Sequence, residues 1–236
     1  MLIKGLQKLT LLDFPEKMAC TVFTFGCNFR CPFCHNASLV LTDRADDSAS
    51  IKEEEFFAFL QKRRGILEGV CITGGEPTLQ PDLPDFIRRI KEMGYAVKLD
   101  TNGARPAALK ALVAEGLLDY VAMDIKNSLP RYADTVGIPA FDTAAVEESA
   151  AFLMEGRIPF EFRTTLVKGL HAPADMADVG KWLAGGECFF LQTFEDSGDL
   201  IAGDPKENDL SAFDRSETEA LLELLRHYVP NAQIRG

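Results

Sequence analysis

Six short runs rich in β-branched and aromatic residues recur along the chain: CTVFTF (20–25), GVCITG (69–74), YAVKLDT (95–101), DYVAMDIK (119–126), FEFRTTLV (160–167) and CFFLQTF (188–194). Their length and composition predict strands. The stretches between them carry helical spacing instead. Leu83, Phe86, Ile87, Ile90 and Met93 fall on one face, and Gly94 follows where a helix C-terminus wants a left-handed residue. Leu109, Leu112 and Val113 precede Gly116 in the same way, as Val146, Ala150, Leu153 and Met154 precede Gly156. A weaker helix is predicted over 174–184, with Trp182 as a packing residue. Ser50 with Glu53, and Ser216 with Glu219, have the spacing of capping boxes ahead of FFAFL and ALLELLRHY.

Strand–helix units in this alternation, with no antiparallel hairpin between them, predict a parallel sheet with right-handed crossovers. A closed eight-unit barrel typically takes about 250 residues, so six units in 236 residues predict a partial (βα)6 TIM-like barrel. The first fifteen residues read as an extra N-terminal strand or hairpin. With no internal repeat, low-complexity segment or linker, residues 1–236 read as a single α/β domain. Such folds place their chemistry on loops at the C-terminal ends of the strands. A cysteine-rich loop follows the first run, GGEP (74–77) the second, DTNG (100–103) ends the third and DIK (124–126) the fourth, while Arg163 lies within the fifth. All of these are predicted to gather on one rim.

Composition narrows the setting. No apolar run reaches the 18 or so residues of a membrane span, and the N-terminus lacks a basic-then-apolar order, so a cytoplasmic protein without signal peptide is expected. The formal net charge of −11, with no basic patch beyond KRR at 62–64, argues against a nucleic-acid partner. The chain has six cysteines, and in a protein neither small nor evidently secreted these suggest metal or catalytic use rather than a disulfide framework.

Three of them form Cys27-x3-Cys31-x2-Cys34 within FGCNFRCPFCHN (25–36). Thiolates are the usual ligands of iron–sulfur clusters, and three of them leave one iron of a four-iron cluster open for a substrate or cofactor. The alternative is structural zinc completed by His35 or a remote cysteine. Against it, His35 adjoins Cys34 and would have to turn back onto the same metal. Cys20, Cys71 and Cys188 lie in apolar runs where a thiol behaves as a small core residue. A labile cluster is therefore the preferred reading.

With Phe33 just before the last cysteine, CNFRCPFC resembles the signature of the radical S-adenosylmethionine enzymes, and the resemblance covers nearly the whole chain. It implies a 4Fe-4S cluster on Cys27, Cys31 and Cys34. The amino and carboxylate groups of S-adenosylmethionine would then occupy the open iron. It also implies backbone contacts from Gly74 and Gly75 to the methionine amino group, with Glu76 as a supporting carboxylate, and contacts of Phe33, Cys34 and His35 along the adenine. Asp100, Thr101, Asn102, Asp124 and Lys126 resemble segments that, in glycyl-radical activating enzymes, hold S-adenosylmethionine. In those enzymes Asp100, Thr101 and Asp124 would also hold a possible monovalent cation. Arg163 either pairs with the methionine carboxylate or serves a structural ion pair. His171 and His227 carry no motif and read as surface or structural residues.

The opening KGLQKLTLLDFPEKMACTVFTFGCNFRCPFCHN is similar to the longer form of anaerobic ribonucleoside-triphosphate reductase activating proteins, departing where Glu16 stands in place of a turn glycine. The implied activity is hydrogen abstraction from a glycine of that partner enzyme, fed by a flavodoxin- or ferredoxin-type electron donor. Two alternatives stay open: a pyruvate formate-lyase activating enzyme, and a small-molecule enzyme of the carboxy-deazaguanine synthase type. The latter tend to have Asp and a hydroxyl residue where this chain has His35-Asn36.

Overall fold

The structure is a computed structural model that describes residues 1–41, 50–196, 198–205 and 207–235. Its centre is one eight-stranded sheet in sequence order: β1 (Ile3–Thr10), β2 (Ala19–Thr24), β3 (Gly69–Gly74), β4 (Ala96–Thr101), β5 (Tyr120–Asp124), β6 (Phe160–Leu166), β7 (Phe189–Thr193) and β8 (Gln233–Arg235). Strands β2 to β8 pair in parallel, and β1 joins β2 as an antiparallel N-terminal hairpin. The expected α/β partial barrel is thus present, with its six strands as β2 to β7. The three-residue β8 was not anticipated, because so short a run has no periodicity to read.

The helices are α1 (Ala37–Val40), α2 (Glu53–Lys62), α3 (Leu83–Glu92), α4 (Pro106–Ala114), α5 (Tyr132–Val136), α6 (Ala144–Met154), α7 (Pro173–Trp182) and α8 (Arg215–Arg226). Gly94, Gly116 and Gly156 take the positive φ expected after α3, α4 and α6. Both expected capping boxes are displaced. Helix α2 starts at Glu53 behind Lys52 with no side-chain cap, so Ser50 lies too far upstream to cap it. Helix α8 is capped by Asp214, whose carboxylate accepts from Glu217 N–H while the Glu217 side chain accepts from Asp214 N–H. Asp at that position outcompetes Ser216, whose hydroxyl donates to the same carboxylate.

Strand pleating sorts the residues. Val22, Ile72, Leu99, Val121, Met123, Phe162 and Leu191, all buried, alternate with positions of the opposite face. That opposite face is polar: Thr21, Thr73, Asp100, Asp124, Arg163, Gln192 and Arg235, drawn from seven strands, line one cavity of about 540 Å³. The sheet therefore curls around a hydrophilic interior, while the helices cover its apolar exterior.

The hairpin turn covers the N-terminal end of the barrel. Phe14 is buried there against Gly69, where a Cβ would come within 2.9 Å of its ring, and lies 6.3 Å from the Tyr120 ring. Glu16 adopts φ 63°, so the turn keeps a glycine-like conformation without the glycine. At the other edge, Arg235 on β8 makes a two-pronged ion pair with the fully buried Glu161 at 2.7 and 2.9 Å, and stacks 3.5 Å over Phe190. The Tyr120 hydroxyl donates to the same carboxylate at 3.2 Å. Glu161→Ala is expected to release β8 and cost about 1–3 kcal/mol in urea unfolding, as donors lose their acceptor. An unchanged midpoint would show that β8 contributes nothing to the fold.

Candidate functional site

The cysteine loop is shaped by backbone bonds reaching in from other elements. Gly26, at φ 89°, turns the chain out of β2, and its N–H donates to Leu39 O at 2.8 Å. Its carbonyl accepts from Glu76 N–H at 2.8 Å. Arg30 donates through Nη1 to the carbonyls of Cys27 and Phe29, both at 2.7 Å, and its N–H reaches Val136 O at 2.8 Å. Phe29 anchors the loop edge-on to Phe141 and Tyr132. Cys27, Cys31 and Cys34 all line the cavity at the C-terminal ends of the strands.

Burial pushes the Cys27 thiol up to about 11 and the Cys31 thiol to about 12, and it raises Cys34 as well. A metal centre must therefore displace their protons to claim thiolates. Backbone N–H groups of Phe29 and Asn36 oppose this at Cys27 and Cys34, and the positive charge of Lys126 opposes it at all three. Among the described residues no three His, Cys, Asp or Glu side chains converge on one ion. Thiolates that bind three separate corners of a cluster need not converge. Cys20 and Cys71 are fully buried and Cys188 half-buried, and none of them lines the cavity.

Gly74 and Gly75 border the cavity, but their most demanding neighbour is protein backbone. A Cβ on Gly75 would lie 2.0 Å from Gly26 O, and one on Gly74 would lie 2.3 Å from Thr24 N. The two glycines let the GGEP turn lock into the root of the cysteine loop. Glu76 is placed differently from expectation. Its carboxylate is fully buried, outside the cavity lining, and accepts from Thr78 N–H and hydroxyl, Thr101 hydroxyl at 2.8 Å and Asn102 N–H at 2.7 Å. It fastens the end of β3 to the end of β4. Asn102 in turn reaches the cysteine loop, donating to Asn28 Oδ1 at 2.8 Å with Cys27 Sγ at 3.8 Å.

Below the loop lies a ladder of buried charges. Lys98 pairs with Asp100; Arg163 donates to Asp100 at 3.0 Å and to Asp124 at 2.9 Å; Lys126 pairs with Asp124 at 3.0 Å. Every carboxylate oxygen of the pair thus faces a side-chain cation, and the atoms that a monovalent cation on Asp100, Thr101 and Asp124 would require are already engaged. Two carboxylates against three cations leave one positive charge in excess, which suits an anionic ligand group. Burial alone would raise both carboxyls. Arg163 with Lys126 overcomes it at Asp124, and Arg163 with Lys98 at Asp100, so both sit below their usual range.

Phe33 is buried at the cavity wall, and His35 stands exposed at its mouth. His171, expected to be surface or structural, is buried behind them. Its Nδ1 accepts from Val167 N–H at 3.1 Å, which leaves the proton on Nε2 to donate to Lys126 O at 2.8 Å. It steadies the turn that carries Lys126. His227, by contrast, ends α8 beside Tyr228, outside the cavity lining. Lys98, Thr165, Gln192 and Arg235 were missed in the sequence. Lys98 had a readable signal, a charge two residues from Asp100 inside an apolar strand.

A family model for the radical SAM superfamily matches residues 21–178, which take in the cysteine loop and strands β3 to β6. The chain belongs to the radical SAM superfamily, whose members use a 4Fe-4S cluster and S-adenosylmethionine. A Methanocaldococcus jannaschii protein provisionally named a glycyl-radical enzyme activating enzyme is 29% identical over 239 residues, covering 99% of this chain and 95% of its own. A Thermococcus kodakarensis protein provisionally named GTP 3′,8-cyclase is 30% identical over 63% of this chain, which spans about half (47%) of that relative's length. Among solved structures, a domain of a pyruvate-formate lyase-activating enzyme from Bacteroides vulgatus superposes with a TM-score of 0.58 at 19% identity, over 71% of this chain and 99% of that one. That likeness supports the fold. No described helix is long and apolar enough to cross a membrane.

Two outcomes are expected. Gly75→Ala should force the cysteine loop off Gly26 and destabilise the metal-free protein by about 1–3 kcal/mol; a melting temperature equal to the parent's would contradict the interlock. The second concerns pH. Asp100 and Asp124 have folded pKa values below the ordinary 3.8, so the unfolded chain takes up protons first on acidification. Their stabilisation is present above about pH 4 and is lost as pH falls through the folded values. The stability gap between the parent and Asp124→Asn in urea titrations should accordingly narrow below pH 4. A constant gap from pH 7 to pH 3 would refute the ladder's charge state.

Proposed function

We propose that the protein is an activase that abstracts a hydrogen atom from a backbone glycine of a partner enzyme. The observation that carries this reading is the open polar barrel. The cysteine loop caps one end of a cavity bounded by both edge strands, and the charged groups at its centre, Asp100, Asp124, Lys126 and Arg163, are already paired with one another. A small-molecule enzyme needs convergent free polar anchors, whereas an inserted peptide loop can bind largely through its backbone. The nearly full-length similarity to the archaeal protein named as such an activating enzyme points the same way.

In this reading Cys27, Cys31 and Cys34 would hold the cluster. The carbonyls around Gly74 and Gly75 would accept from the methionine amino group, and the excess positive charge of Arg163 and Lys126 would attract its carboxylate. Phe33 and His35 would lie along the adenine, while Asn102 steadies the loop at Asn28 beside Cys27. Together the two cofactors supply reductive cleavage of S-adenosylmethionine to a hydrogen-abstracting radical. The protein orients the glycine and excludes water. Anaerobic ribonucleoside-triphosphate reductase is the partner we favour, from the N-terminal segment KGLQKLTLLDFPEKMA; pyruvate formate-lyase is the second reading. Electrons would come from a flavodoxin- or ferredoxin-type donor.

Anaerobically reconstituted protein should carry about four irons per chain, and Cys27→Ala, Cys31→Ala or Cys34→Ala should abolish S-adenosylmethionine cleavage. Mixed with anaerobic ribonucleotide reductase, the reduced protein should produce a glycine-centred radical in electron paramagnetic resonance. Radical formation on pyruvate formate-lyase alone would move the assignment to that partner. Deoxyadenosine formation with a small metabolite and neither enzyme would overturn the activase reading.

A further inference from the structure

The helix that follows the cysteine loop lacks a cap of its own. Asn36, the N-cap of the four-residue α1, makes no side-chain capping bond. The missing acceptors arrive from the connection between β7 and α8, more than 160 residues further along the chain. Asp199 accepts from Ser38 N–H through Oδ2 at 3.1 Å, and from Ala37 N–H through its backbone carbonyl at 3.3 Å. The two residues after Leu200 grip the loop itself: Ile201 N–H donates to Cys34 O at 3.3 Å and Ala202 N–H to Pro32 O at 3.0 Å. Leu200, between them, is buried in the core cluster. Asn208 braces the segment by donating to Ala202 O and Asp204 O, both at 3.0 Å.

We propose that Asp199 is a positioning residue that caps α1 in trans, so that residues 199–202 clamp the Cys31–Cys34 half of the cluster loop in its ligating shape. The proposal rests on the cluster reading above. A physical fact supports it. A loop of irregular backbone has few internal bonds to define its shape, and here both carbonyls flanking Phe33 are held from outside.

Asp199→Asn keeps a side-chain acceptor for Ser38 N–H, and Asp199→Ala removes it. In the metal-free protein, hydrogen exchange at Ser38, whose N–H is bonded to the Asp199 side chain, should be about fivefold faster in Asp199→Ala and close to the parent in Asp199→Asn. In reconstituted protein, iron release to a chelator should accelerate severalfold in Asp199→Ala only. Unchanged exchange in metal-free Asp199→Ala would overturn the clamp whatever the cluster does. Equal acceleration of exchange or iron release in both variants would overturn the capping role. If the parent takes up no iron while exchange responds as expected, the cluster reading fails and the clamp stands as a fold feature.

Discussion

The barrel interior depends on the ladder Lys98–Asp100–Arg163–Asp124–Lys126. Five charges removed from water would be prohibitive singly. They persist because each carboxylate oxygen meets a cation and because sheet register places the partners: Asp124 stands opposite Arg163 across the β5–β6 pair, and Lys98 lies two residues before Asp100 on the same face of β4. A one-residue slip of any of these strands would turn charges into the helix-facing core and leave their partners unpaired. The ladder thus selects register in the middle of the sheet as strongly as apolar packing does outside it. Its last member, Lys126, carries that order up to the cysteines.

Above the ladder, the site is assembled from backbone rather than from side chains. The carbonyl of Gly26 accepts from Glu76 N–H, the carbonyls of Pro32 and Cys34 accept from the β7–α8 connection, and Arg30 gathers those of Cys27 and Phe29. Glu76 carries no unmet bonding capacity toward the cavity, because it is committed to Thr78, Thr101 and Asn102. A rigid seat for a metal cluster follows from this sharing: each strand end is tied to its neighbour before any cofactor is bound.

Within one polar cavity, the arrangement divides labour along the barrel axis. The cysteine loop, with Phe33 and His35, forms the upper wall. The ladder forms the electropositive middle, and Gln7 and Arg235 line the cavity from the two edge strands, β1 and β8. This suits radical chemistry, in which the reacting atoms must be held apart from bulk water while a substrate segment reaches in from outside.

Short β-prone apolar runs and period-3.6 patterning by themselves determined the six central strands, the five longer helices from α3 onward and the partial barrel that they imply, because these are local signals carried by neighbouring residues. The C-x3-C-x2-C spacing marked Cys27, Cys31 and Cys34 as the candidate ligand set, three thiols on one short loop after a strand. Tertiary structure alone decided the rest. That Glu76 faces inward depends on where Thr101 and Asn102 land, and that Gly75 must lack a side chain depends on Gly26, 49 residues away. The role of His171 depends on the Lys126 carbonyl, and that of Asp199 on an uncapped helix more than 160 residues earlier. Each of these is a contact between segments distant in the chain, and hydrophobic periodicity and motif spacing report only on neighbours along it.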